Sequence, residues 1–236
     1  MPKIQKGAIP NELLAALPAA SYRRLEAHLE TVPLVFGEVL HEPAKPFGHV
    51  YFPCSGFISL LSVVKPQKAA EICMVGIEGV AGLAAADGTK VSQLRSVVQG
   101  AGSAMRLAAS RFHAECASNP AWAHVLLRFA NHLTAQAAQT SVCNRYHTIG
   151  LRLARWLLLT RDRMGSNTFD LTHQFLSGML GVQRVGVTVA ASELERLGLI
   201  TYSRGKIWIV NPKGLEGAAC ECYKVVKGMR AGGAKK

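Results

Sequence analysis

Residues 171–200 read LTHQFLSGMLGVQRVGVTVAASELERLGLI, and the folding of this stretch decides the rest. Leu176 and Leu180 stand four apart, as on one face of a helix over 173–180 that Thr172 can cap. Gly181 then supplies a left-handed turn, which a residue with a β-carbon takes only at a cost. Val182 fills the corner. A second helix, from Gln183 or Arg184 to Leu197, turns Val187, Ala190 and Leu194 toward the first. Ser177 and Gly178 are small where two crossing helices touch. Together these positions spell a helix-turn-helix, with Val185 and Val189 facing outward.

Downstream, Gly198-Leu199-Ile200 closes the second helix. The run TYSRGKIWIV (201–210) reads as a two-stranded hairpin that turns at Arg204-Gly205, with Lys206 beside the turn. A helix-turn-helix followed by a basic hairpin is a winged helix. An αα-hairpin and a β-hairpin that never meet nucleic acid would show the same apolar spacing, so charge is the discriminator. The formal net charge of the 236 residues is +12, and it is concentrated. Residues 145–236 hold 15 basic and 6 acidic side chains, against 12 and 9 in residues 1–144. Such an imbalance suits a polyanionic partner, nucleic acid before an acidic membrane.

Upstream, Ile149, Leu151, Leu153, Ala154, Trp156, Leu157 and Leu158 make a helix that Met164-Gly165-Ser166-Asn167 ends. Before it, Ser118-Asn119-Pro120 opens a long helix that runs without Gly or Pro to about Arg145. Its stripe of Val125, Phe129, His132, Leu133, Gln136, Ala137, Thr140 and Cys143 is only partly apolar and uses small residues. That suits a close seam between two copies of the helix. Packing onto the chain's own barrel is the alternative, and opposite faces can do both. From Val35 to Leu107 the texture is different. Short apolar runs (VYF, GFISLLSVV, AAEICMV, LRSVVQ, SAMRLA) alternate with Gly and Pro, as in a compact antiparallel barrel or sandwich. Ahead of these, Leu13, Leu14, Leu17, Tyr22, Leu25 and Leu29 have helical spacing broken at Pro18. The closing AGGAKK reads as a frayed tail.

The expected organisation is α+β. Residues 1–118 form a β-roll with N-terminal helices, 119–147 the connecting helix and 148–236 the winged helix. With 49% hydrophobic and 18% charged residues, the chain is rich enough in apolar side chains for sizeable cores. The N-terminus lacks the apolar segment of a signal peptide, and no apolar run reaches the roughly 18 residues of a membrane helix. A cytoplasmic protein with reduced thiols and no membrane partner is therefore expected.

These features resemble the cyclic-AMP receptor protein/FNR family of bacterial transcription regulators. The likeness extends over FGE…VYF…SGFISLL, the Asn-Pro that opens the long helix, LRLARWLLL and the winged helix. It implies an eight-stranded β-roll sensor, a dimerisation helix and a homodimer on palindromic double-stranded DNA, its half-sites about one helical turn apart. It also implies candidate partners in RNA polymerase and a small-molecule effector. Family positions that touch phosphate fall on Thr172, His173, Gln174 and Gln183, with the wing at Arg204 and Lys206. Those facing base edges fall on Arg184, Val185 and Val189. Arg184 alone keeps a fork able to bond guanine O6 and N7, while a valine can only touch a thymine methyl.

In the sensor half, the positions that hold the nucleotide phosphate in cyclic-AMP-binding members read Gly79-Val80…Ser92-Gln93, and the helix step reads Ala137-Ala138. Without the carboxylate, cation and hydroxyls, cyclic AMP is not expected to bind. An iron–sulfur cluster is not expected either, since the six cysteines (54, 73, 116, 143, 220, 222) are scattered and the first is Cys54. Cys54, Cys73, His41, His49 and His113 leave haem open without a diagnostic spacing. Cys220-x-Cys222 alone is a weak metal signal, and no metal is assigned. Cys143 and His147 are i,i+4 and read as a seam cysteine, open to oxidation across the dimer, beside an exposed histidine. No nucleophile elbow, zinc-hydrolase helix or paired carboxylates point to an enzyme. The cofactor is unknown. Two other readings stay open: constitutive DNA binding over a purely structural roll, and a haem or metabolite sensor acting through protein contact.

Overall fold

The computed structural model describes residues 9–65 and 68–231. The first residues of the N-terminus and 232–236 of the AGGAKK tail lie outside the described residues, and the readings made on them stay expectations. The chain forms two compact units, and the division falls inside the long helix, between residues 134 and 135. The sequence reading put the boundary at the helix's end instead.

The first unit opens with α1 (Glu12–Ala15) and α2 (Ala19–Glu26), separated at Pro18, which becomes the N-cap of α2. Asn11 caps α1 through its Oδ1 and spends its Nδ2 on the carbonyls of Pro53 and Gly79, fastening this corner to the roll. The roll itself is β1 (Glu30–Leu34), β2 (Val39–His41), β3 (His49–Lys65), β4 (Lys68–Val75) and β5 (Arg95–Ala108). They form one sheet in the order β1-β5-β3-β4, with β2 also on β5. The resemblance implied eight strands; five are described, because runs read as separate strands are continuous. VYF and GFISLLSVV both lie in β3, which bends through register shifts between Pro53 and Ile58 instead of ending. LRSVVQ and SAMRLA likewise share β5. Leu34, Ile58, Ala81, Val98 and Ala104 make one cluster of the core. A T-shaped aromatic chain, Phe52 on Phe112 at 5.9 Å and Phe112 on Trp122 at 5.3 Å, ties the sheet to α3 (Ala109–Ser118) and the start of α4 (Ala121–Tyr146).

Along α4 the stripe expected at a seam packs within the chain, the alternative the spacing left open. Phe129, Gln136, Thr140 and Cys143 are buried within the chain, and Val125, His132 and Leu133 are half-buried. Phe129 presses on Gly79 so closely that a β-carbon there would overlap its ring. The stripe, polar members included, packs within the chain. The exposed line of α4 runs Leu127, Asn131, Thr134, Ala138 and Val142, at three- and four-residue steps, with Leu127 62% and Val142 49% exposed.

In the second unit α5 (Ile149–Met164) is central, with Leu153, Ala154, Trp156, Leu157 and Leu158 buried. The end of β3 and the start of β4 belong to the same unit, and Glu71 of β4 accepts a hydrogen bond from Trp156 Nε1 at 3.0 Å. Around α5 pack α6 (His173–Leu180), α7 (Arg184–Arg196), α8 (Pro212–Ala218) and α9 (Cys222–Ala231). The wing is β7 (Ile200–Ser203) and β8 (Lys206–Ile209), joined on the other side by β6 (Thr168–Asp170).

Candidate nucleic-acid interface

Thr172 is the N-cap of α6, its Oγ1 accepting from the Phe175 amide at 3.1 Å, so its hydroxyl proton is left to donate. Gly181 ends α6 at φ 63°, ψ 38°, the left-handed turn expected from the sequence. The chain then starts α7 with Gln183 as N-cap. Val187, Ala190, Ala191 and Leu194 of α7 are buried, while Arg184, Val185, Thr188, Val189 and Ser192 are exposed. Val185 and Val189 are 63% and 66% exposed, which no packing within the chain would select for valines. One face of α7 therefore holds the fold, and the other is free to meet a partner.

The wing turns at Arg204 (φ 50°) and Gly205 (φ 80°), the two positive values of a type I′ hairpin turn. Arg204 and Lys206 are both exposed. Lys206 Nζ lies 3.6 Å from Asp170 Oδ1 on β6, so part of its charge is already answered inside the domain. Gln174 and Gln183 are exposed as the sequence requires.

His173 is placed differently from its assignment to phosphate. Its ring stacks on Tyr202 of the wing at 4.1 Å, and Nδ1 bonds Thr188 Oγ1 at 3.0 Å. The Thr188 hydroxyl donates to the Arg184 carbonyl, so Nδ1–H must be the donor to it, and Nε2 is buried without a hydrogen-bond partner. Burial and then the neighbouring Arg184 charge hold His173 below the ordinary histidine pKa of 6.5, so the ring is neutral at pH 7. With Nδ1 on Thr188 and Nε2 buried, the ring joins both helices of the helix-turn-helix to the wing. Thr188 and Tyr202 thus hold His173 in place, a contact that sequence spacing does not single out. Glu195 completes the brace by accepting from the Tyr202 amide at 3.0 Å.

Basic charge is also redistributed. Arg152 and Arg155 of α5 are buried, Arg152 donating to the Leu180 carbonyl at the end of α6. In the roll, His41 bonds Ser96 Oγ through Nδ1 and the His49 carbonyl through Nε2, so neither ring nitrogen is left for a haem.

Two crossing helices with an exposed outer face, backed by a three-stranded sheet and carried on a chain with a β-roll, make a winged helix joined to a roll. Residues 151–218 match the family model of the Crp-like helix-turn-helix domain. FixK2 from Bradyrhizobium japonicum has a similar structure, with a TM-score of 0.67 at 16% identity over 81% of this chain and 98% of that one. The c-di-GMP-responsive global regulator CLP of Xanthomonas campestris gives 0.67 at 12%, over 81% and 99%. A CRP-family transcriptional regulator from Thermus thermophilus gives 0.66 at 16%, also over 81% and 99%. No curated protein sequence matches the chain. The chain carries a Crp-like helix-turn-helix domain on a Crp/FNR-like fold.

Proposed function

We propose that the protein is a transcription regulator that reads double-stranded DNA as a homodimer. The carrying observation is the outer face of α7, where Arg184, Val185 and Val189 stand exposed beside a wing that bears Arg204 and Lys206. The exposed line of α4 through Leu127 and Val142 is the seam offered to the second copy, which would present two reading helices to a palindromic site.

The roll supplies the input. A cavity of about 560 Å³ opens between the sheet and α4, lined by Leu60, Val80, Leu83, Leu94, Leu126 and Leu133 among others. Its lining residues include the carboxylate of Asp87 and, among the described residues, no Lys or Arg. A cyclic-nucleotide phosphate would lie there without a cation, so the effector is an apolar molecule. Leu127 stands at once in the lining and on the exposed α4 line, so occupancy of the cavity would bias how two copies pair.

Sites selected from a random DNA pool test the reading. Arg184→Ala is expected to weaken binding to the selected site by about 10- to 100-fold while nonspecific binding changes little. Lys206→Ala is expected to weaken both. Equal loss on specific and nonspecific DNA in Arg184→Ala would remove Arg184 as a base reader, and failure to select any site would remove the function.

A further inference from the structure

The end of α4 and the start of α9 hold four soft donors in one place. Cys143 and His147, one helical turn apart, meet Cys220 and Cys222, and the four ligand atoms all lie within 4.8 Å of one another. The Sγ atoms of Cys143 and Cys220 are 3.6 Å apart, and Cys222 Sγ is 3.5 Å from His147 Nδ1. A tetrahedral zinc ion with bonds of about 2.3 Å to sulfur and about 2.0–2.1 Å to nitrogen sets the ligand atoms about 3.8 Å (S to S) and about 3.6 Å (S to N) apart. Those two edges, 3.6 and 3.5 Å, match that polyhedron. A disulfide would need the sulfurs at about 2.05 Å. A polynuclear iron–sulfur cluster would distribute its four protein ligands over two or more irons, which ligand atoms all within 4.8 Å of one another do not accommodate.

We propose that Cys143, His147, Cys220 and Cys222 bind one structural zinc ion in the DNA-binding unit. The surroundings supply what such a site needs beyond its ligands. Gln139 Nε2 donates to Cys222 Sγ at 3.0 Å. His147 Nε2 lies 3.2 Å from Glu221 Oε1, so a ring that ligates through Nδ1 has its other N–H on a carboxylate, which fixes both tautomer and tilt. Cys143, Cys220 and Cys222 are buried and packed with Leu151, which keeps water out. Cys222 also opens α9, where the helix dipole favours a thiolate. Three thiolates and a divalent ion leave one negative charge. The buried guanidiniums of Arg152 and Arg155 offset it, since Arg155 interacts with both Cys143 and Cys220, and the Nε atoms of both arginines have no hydrogen-bond partner.

Three cysteines can fill a core as small apolar groups. That role gives no reason for an amide aimed at a sulfur, a carboxylate-backed histidine in the cluster and two buried guanidiniums beside it. With four protein ligands the coordination is closed, so the ion is structural, with no position left open for catalysis. It clamps the last turn of α4 to the α8–α9 junction, on the side of α5 where those helices pack.

Full-length protein purified under reducing conditions without chelator is expected to carry one zinc per chain by elemental mass spectrometry. Exchange with cobalt(II) is expected to give the visible d–d bands of a tetrahedral ion with thiolate charge transfer. Absorption at the zinc edge is expected to show three sulfurs at about 2.3 Å and one nitrogen at about 2.0 Å. Cys143→Ser and Cys220→Ser should each lower occupancy at least tenfold, whereas Cys54→Ser and Cys116→Ser should not. If the ligand variants do not fold, the wild-type edge spectrum decides alone. Reduced wild-type protein that takes up neither zinc nor cobalt overturns the proposal, as do an isolated Cys143–Cys220 disulfide that binds no metal once reduced and iron with acid-labile sulfide.

Discussion

His41 shows how much a single ring can commit. It is buried in the roll, accepts or donates at both nitrogens and packs edge-on to Phe47 at 5.1 Å. Its N–H donates to the His49 carbonyl and its other nitrogen accepts from Ser96, an arrangement that suits the neutral ring. Burial pushes its pKa below the usual 6.5, more than the His49 carbonyl restores it. The unfolded chain therefore binds a proton more readily than the folded one. Stability from this group is complete above pH 6.5 and is lost as pH falls through 6.5 toward the lowered value. Urea midpoints measured from pH 7.5 down to pH 5 are expected to fall less steeply in His41→Gln than in the wild type. Equal slopes would show that His41 does not govern acid sensitivity.

Helices carry the second scale, and α4 is the one whose spacing admits two readings. The spacing of Val125, Phe129, Gln136, Thr140 and Cys143 announces a buried stripe, but a sequence does not say whether the cover is a second copy or the chain itself. Leu127 and Val142 are the better candidates for the seam, being apolar and exposed. The double variant Leu127→Glu, Val142→Glu is expected to convert a dimer to a folded monomer in sedimentation analysis and to lose the palindromic site. Phe129→Ala, by contrast, is expected to lower folding stability by about 3–5 kcal/mol, since it empties a packed site against Gly79. A double variant that stays dimeric would place the seam elsewhere. The winged helix, in contrast, was legible almost to the residue. Thr172, Gly181, Val187 and Leu194 each obey local rules of capping, turn geometry and helical period, and the structure keeps all of them. The strand β6 was not legible, because three residues are too few for a period. The cysteine cluster was not legible either. Its two donor pairs flank the whole winged helix, so neither spacing rises above chance until the fold closes.

For the molecule as a whole, the surplus charge overstates the cation set open to the proposed DNA partner. Of the basic side chains in the C-terminal region, Arg152 and Arg155 are interior, and Lys206, Arg161 and Lys227 face Asp170, Glu216 and Asp162. With Arg204 and Lys206 as the phosphate cations of each protomer, log K against log salt is expected to have a slope of about −3 to −5 for a dimer. A slope near −10 would mean that cations outside the wing take part.

For the proposed reading of DNA, the stack of His173 on Tyr202, tied through Thr188 to α7, has a consequence for which sites would be chosen. In the proposed complex with DNA, wing and α7 would approach the duplex as one braced caliper. A caliper cannot relax to suit a groove that is too wide or too narrow, so the DNA must do the bending. Sequences that deform easily to the set opening are then preferred at base pairs the protein never touches.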